Sequence, residues 1–110
     1  MTNLTTIKEF ADAISDQNHK MVVIDFYADW CGPCKKIAPF VYELADKYPE
    51  VGFYKIDSDV ESVLAVTQAC EVSSLPTFCF FINGKYITKL VGANTELLEK
   101  MMVENLATVL

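Results

Sequence analysis

Cys31 and Cys34 are the side chains whose type and spacing stand out in this 110-residue chain. They form the C-x-x-C of Trp30-Cys31-Gly32-Pro33-Cys34, which puts the two thiols one helical turn apart. A thiolate is both a nucleophile and a metal ligand, and thiols this close can also close a disulfide. Upstream, Met21-Val22-Val23-Ile24-Asp25-Phe26-Tyr27 reads as a buried strand. Downstream, Lys35 to Tyr48 carries apolar residues at Ile37, Phe40, Val41, Leu44, Ala45 and Tyr48, which is helical spacing. The pair therefore sits on a strand-to-helix turn with Cys31 at the helix N-terminus. Unpaired backbone N–H groups and the helix dipole favour an anion there, so a thiolate is stabilised at Cys31.

The competing use of a C-x-x-C is half of a zinc site. That needs a second close pair of ligands, but Cys70 and Cys79 are nine residues apart and His19 is the only histidine. Redox chemistry is the reading the spacing favours, and no metal site is expected. Asp25 is the second notable residue, a carboxylate interrupting an apolar run. On a central strand it would be buried, its pKa raised at a cost in stability, which suits a group that takes and returns the Cys34 proton. A solvated aspartate facing an edge is the alternative. Cys79, between Phe78 and Phe80, reads as a small buried hydrophobe. Cys70 ends a helix near the proline loop, and the sequence leaves open whether it is exposed.

Positioning these groups falls to a short series of elements. Thr6-Ile7-Lys8-Glu9 has the form of a capping box and starts a first helix near Thr6. The strand at Met21 to Tyr27 and a helix from Pro33 to Tyr48 follow, with Pro39 expected to kink that helix. Val51 to Ile56 reads as a strand, Val60 to Cys70 as a short helix and Thr77 to Ile82 as another strand. Asn83-Gly84 is a hairpin signal joining it to Tyr86-Val91. Asn94 or Thr95 then caps a last helix carrying Leu97, Leu98, Met101 and Leu106. This order gives an α/β domain in which a mixed sheet lies between helical layers.

Composition narrows the function classes. A chain of this length makes one domain, residues 1–110, with a single core. A formal charge of -6 argues against nucleic acid or an anionic membrane as partner. No run of 18 apolar residues spans a bilayer. Met1 to Ile14 lacks the basic start and apolar core of a secretory signal, so the four cysteines are expected in a reducing, cytoplasmic setting. There is no dinucleotide-binding glycine fingerprint.

The stretch from Val22 through Lys35 resembles the active-site signature of the thioredoxin family. The likeness continues through Pro39-Phe40, Lys55-Ile56-Asp57 with Asp59, Leu75-Pro76-Thr77-Phe78, Asn83-Gly84-Lys85 and Val91-Gly92-Ala93, in the family's order along nearly the whole chain. Cys70-Glu71-Val72 is similar to the eukaryotic cytosolic branch. Ser58 stands where the family usually has an aliphatic residue, and Leu75 where isoleucine, valine or methionine is usual.

The resemblance implies the thioredoxin fold, a central mixed sheet flanked by helices on both faces. It also implies a protein-disulfide reductase cycling a Cys31–Cys34 disulfide, with Cys31 as the exposed nucleophile and Cys34 as the shielded resolving thiol. Gly32-Pro33 supplies no cation to overstabilise the thiolate, so the dithiol is a reductant. Asp25 would transfer a proton, modulated by Lys55, although Lys55 alone is an ordinary surface lysine. A cis Leu75–Pro76 bond would pack against the dithiol and offer Leu75's backbone to an extended substrate. Trp30, Gly32, Pro33, Gly92 and Ala93 would complete an apolar docking surface; their plain alternatives are a core aromatic, turn residues and a helix-cap glycine. Cys70 is either a regulatory or dimer-forming thiol or an inert surface residue, and the chain is otherwise expected to be monomeric. No cofactor is expected to be bound. Electrons would come from NADPH through a separate thioredoxin reductase and go to oxidised proteins such as peroxiredoxins or reductase-type enzymes. The rival class is a redox-sensitive binding module of the same fold without turnover.

Overall fold

The computed structural model describes residues 1–109. Five strands form one sheet: β1 (Thr2–Asn3), β2 (Met21–Tyr27), β3 (Val51–Asp57), β4 (Thr77–Ile82) and β5 (Lys85–Val91), in the order β1-β3-β2-β4-β5. β2 pairs parallel with β3, as β3 does with β1, while β4 runs antiparallel to both β2 and β5. The four helices are α1 (Ile7–Ile14), α2 (Gly32–Lys47), α3 (Leu64–Ala69, led in by a 3₁₀ turn at Glu61–Val63) and α4 (Thr95–Leu106). The expected architecture is present. The short β1 has no apolar pattern to betray it, and its two residues are exposed.

Alternation along the central strand divides the core. Met21 and Val23 pack with Ile37, Val41 and Leu44 of α2 and Leu98 and Met102 of α4. Val22, Ile24 and Phe26 point the other way, toward Phe10 and Ile14 of α1 and Val66 of α3. A strand buried on both faces must be apolar at successive positions, which explains the unbroken run that Asp25 interrupts. β4 repeats the pattern, with Phe78 and Phe80 on the α2–α4 face and Cys79 and Phe81 on the α1–α3 face.

Local signals set the element ends. The Thr6 hydroxyl accepts the Glu9 N–H, while the Glu9 carboxylate returns to the N–H and hydroxyl of Thr5 rather than of Thr6. The Asn94 side chain accepts the Leu97 N–H and starts α4, whose Leu98 is buried while Leu97 is exposed. Asn83 and Gly84 both have positive φ (53° and 75°) in the two-residue turn between Ile82 and Lys85. α2 runs through Pro39 as one element. Of the expected Val60–Cys70 helix only Leu64–Ala69 is α-helical.

Candidate active site

β2 ends at Tyr27, the chain turns through Ala28-Asp29-Trp30, and α2 begins at Gly32 with Cys31 as its N-cap. Cys31 Sγ accepts the Cys34 N–H at 3.2 Å, taking the place of a capping oxygen. Pro33 occupies a first-turn position, where its missing N–H costs nothing. Cys31 and Cys34 are joined as a disulfide, with Cα atoms 5.3 Å apart. Both are buried, 4% and 6% exposed. The expectation of an exposed Cys31 beside a shielded Cys34 is therefore corrected, because Ala28, Tyr27 and Leu75 pack around both. What separates the two sulfurs is the N-cap bond to Cys31 and, on the other side, the surroundings of Cys34.

Those surroundings are a cleft of about 150 Å³ that runs from Cys34, Lys35 and Ala38 to Asp25 and Lys55. Asp25 lies mid-strand in β2, opposite Lys55 of β3 and Phe78 of β4. It is buried, and its Oδ1 has no hydrogen-bond partner. Burial pushes its carboxyl up to about 7, against a smaller opposing pull from the Lys55 ammonium. Lys55 makes no ion pair with Asp25 among the described residues; its Nζ stands 4.3 Å from the centre of the Tyr27 ring. The reading of Asp25 as a solvated edge residue is excluded by its place on the central strand.

Apolar residues are exposed around the disulfide. Trp30 is 71% exposed, and its indole N–H donates to Asp59 Oδ2 at 2.8 Å. Gly32 and Pro33 are exposed beside it. The Leu75–Pro76 bond is cis, Leu75 packs on the cysteines, and the Leu75 N–H and C=O take no partner among the described residues. Pro76 C=O accepts the Gly92 N–H at 2.8 Å, where Gly92 adopts φ 104°, so the proline loop and the β5–α4 turn are held together. Exposed Val91 and Ala93 flank that glycine. Asp59 was legible only as a family landmark. The signal for its contact was that an exposed tryptophan seeks a partner for its N–H.

Cys70 is buried, because it closes α3 against the sheet, and Cys79 is wholly buried as predicted. No cluster of potential metal ligands occurs among the described residues.

The thioredoxin family model matches residues 1–104. The chain belongs to the thioredoxin family. It is 44% identical to thioredoxin-1 of Saccharomyces cerevisiae over 105 residues, covering 96% of this chain and 98% of the relative. It is 48% identical over 102 residues to thioredoxin-like protein R548 of Acanthamoeba polyphaga mimivirus, covering 93% of this chain and 74% of that one. A solved structure concerning thiol resolution in yeast mitochondrial 1-Cys peroxiredoxin through glutathione and thioredoxin systems superposes with a TM-score of 0.86. It is 41% identical and covers 94% of each chain. Thioredoxins are cofactor-free protein-disulfide oxidoreductases, and the Cys31–Cys34 pair gives this thioredoxin the dithiol that the chemistry requires. No helix among the described residues is long and apolar enough to cross a membrane.

Proposed function

We propose that this thioredoxin reduces protein disulfides with Cys31 as nucleophile, Cys34 as resolving thiol and Asp25 as the proton-transfer group of Cys34. The observation that carries the assignment is the position of Cys31 as the N-cap of α2, its sulfur already receiving a backbone N–H. In the reduced protein the same N–H and the helix dipole stabilise negative charge on Cys31, making it the stronger nucleophile at neutral pH. Its thiolate attacks one sulfur of a substrate disulfide, expelling the other as a thiolate and forming a mixed disulfide. Cys34 then attacks the Cys31 sulfur, which breaks the mixed disulfide and leaves the Cys31–Cys34 bond. Two electrons have passed to substrate.

The second attack needs a deprotonated Cys34. Asp25 shares a cleft with Cys34, and its pKa near 7 lets it both hold and accept a proton at neutral pH. Lys55, which also lines that cleft, tempers the rise. Trp30, Gly32, Pro33, Leu75, Pro76, Gly92 and Ala93 form the docking face, on which the unpaired backbone of Leu75 receives an extended substrate segment as an added strand would be received. Electrons return from NADPH through a separate thioredoxin reductase, oxidised proteins of the peroxiredoxin kind are substrates, and the setting is cytoplasmic.

The deciding experiment couples the chain to NADPH and a thioredoxin reductase and follows insulin reduction. Catalytic turnover at sub-stoichiometric protein is expected. Binding to reduced-state partners with no turnover would replace this reading by that of a redox-sensitive binding module.

A further inference from the structure

One register row crosses the sheet through Asn3 on β1, Lys55 on β3, Asp25 on β2 and Phe78 on β4. Tyr27 lies two residues beyond Asp25 and so on the same face of β2. Its hydroxyl donates to Asn3 Oδ1 at 2.9 Å, so the phenol reaches from β2 past β3 to the edge strand. Lys55 belongs to the strand that is passed, and its Nζ stands 4.3 Å from the centre of the Tyr27 ring. Tyr42 of α2 adds a second ring, centred 5.9 Å from the same nitrogen. Both distances lie within the range over which a ring face attracts a cation.

Asp25 is left without that cation. The two residues are register neighbours and line one cleft, yet they form no ion pair among the described residues, and Asp25 Oδ1 has no hydrogen-bond partner. Opposite charges this close stay apart only where something else holds one of them. The Tyr27 ring is what the Lys55 ammonium touches instead.

We propose that Tyr27 is a positioning residue for proton transfer: anchored by Asn3, its ring holds the Lys55 ammonium off Asp25 and leaves that carboxyl unpaired in the cleft it shares with Cys34. The proposal rests on the reading of Asp25 as the proton-transfer group of Cys34. A carboxylate closed into an ion pair titrates low and is a weak base, whereas one whose cation is kept at a distance retains the rise that burial gives. The Asp25 carboxyl sits at about 7, burial outweighing the pull of Lys55. Moving the ammonium onto Asp25 would cost it its remaining water, which offsets much of the attraction, so a cation–π contact is enough to choose between the two arrangements. The other charges facing the cleft do not replace it. Asp29 and Lys35 are exposed and of opposite sign. Asp57, opposite Tyr27 on β3, accepts the Asp59 N–H through Oδ1. Phe78 of β4 and Ala38 of α2 bring no charge.

The test follows the Asp25 carboxyl by carbon-13 NMR through a pH titration of the oxidised chain. Tyr27→Leu should lower its midpoint by about one unit, a tenfold loss of proton affinity, as Lys55 closes on Asp25. Tyr27→Phe keeps the ring and should move the midpoint much less. Asn3→Ala, at the exposed edge, loosens the anchor without touching the core, and a smaller fall in the same direction is expected. Lys55→Met should raise the midpoint, and in that background Tyr27→Leu should leave it where it stands. In the reaction, the acid limb of mixed-disulfide release by Cys34 should move down by about one pH unit in Tyr27→Leu, with its plateau slowed about threefold. An unchanged or raised midpoint in Tyr27→Leu, no fall in Asn3→Ala, or an equal fall without Lys55 would overturn the proposal and leave the reading of Asp25 standing. A midpoint that falls while the acid limb stays in place would overturn the reading of Asp25 itself, and with it the role of Tyr27 in proton transfer.

Discussion

Cys31 and Cys70 of this thioredoxin sit at opposite ends of helices, and that difference decides how each thiol is treated. Cys31 caps the N-terminus of α2, where a backbone N–H reaches its sulfur and the helix dipole supports negative charge. Cys70 closes the C-terminus of α3, where carbonyls crowd and the dipole opposes a thiolate. The α3 end is answered from outside: Lys89 covers two of those carbonyls. Two buried thiols thus meet different surroundings, one set by its own helix and the other by Lys89 across the sheet.

The largest effect that can break this contrast is at the first pair. Cys31→Ser should lower insulin reduction by about a thousandfold or more, since the nucleophile itself is lost. Cys34→Ser should instead accumulate a mixed disulfide between Cys31 and substrate, visible by mass spectrometry. A stable adduct through Cys34 in the Cys31→Ser protein would reverse the assignment of roles and remove the N-cap from its place in the argument.

Next comes Asp25, which belongs to the α2 side alone. Its carboxyl sits at about 7 in the fold against 3.8 unperturbed, so the folded chain holds a proton that the unfolded chain releases between about pH 4 and pH 7. Stability therefore falls as pH rises through that window. About three units correspond to a cost of about 4 kcal/mol above pH 7. Asp25→Asn removes the titration but buries an amide, so a gain of about 2 kcal/mol is expected at pH 8 and almost none at pH 4. Cys34-dependent release of the mixed disulfide should slow by about tenfold to a hundredfold. Urea unfolding at both pH values and rapid-mixing fluorescence measure the two effects. A pH-independent change in stability would mean that Asp25 is ionised in the fold.

Much of this was legible in the chain, and the rest was hidden for physical reasons. Unbroken apolar runs, a capping threonine, Asn83-Gly84 and the C-x-x-C each follow from local rules, so the elements and the N-cap position of Cys31 could be read directly. Asp25 was readable as a lone carboxylate in an apolar strand. Burial of individual thiols was not. Cys31 is covered by Ala28 and Leu75, the latter far away in sequence, and Cys70 by the packing of α3 on the sheet. The Trp30–Asp59 bond and the parallel addition of β1 likewise join segments that carry no mutual local signal.

Lys89→Met sharpens the comparison at the C-terminal end of α3. It retains an aliphatic stem of similar length but removes the charged hydrogen bond to Glu71 C=O and the contact with Cys70 C=O. A loss of about 1 kcal/mol is expected in equilibrium unfolding. With it, alkylation of Cys70 should slow while Cys31, at its own helix end, reacts as before. Parallel slowing at both cysteines would show a general loosening of the fold rather than a local one.

The smallest effect is one residue further on. Glu71 has φ 53°, and with it α3 ends in a turn where the Val72 N–H bonds Thr67 C=O and the Glu71 N–H bonds Gln68 C=O. That is the position helices usually give to glycine, because a side chain there crowds the backbone. The Glu71 carboxylate also adds negative charge at the negative end of the helix. Glu71→Gly relieves both but gives the unfolded chain more freedom, so the net gain should be about 0.5 kcal/mol. At this chain length that is a rise of roughly 2–3 °C in Tm. Asn83, with the same φ, supplies the control. Asparagine already suits that hairpin turn, so Asn83→Gly should give no gain. Equal shifts from the two substitutions would show that the helix end is no more strained than the hairpin.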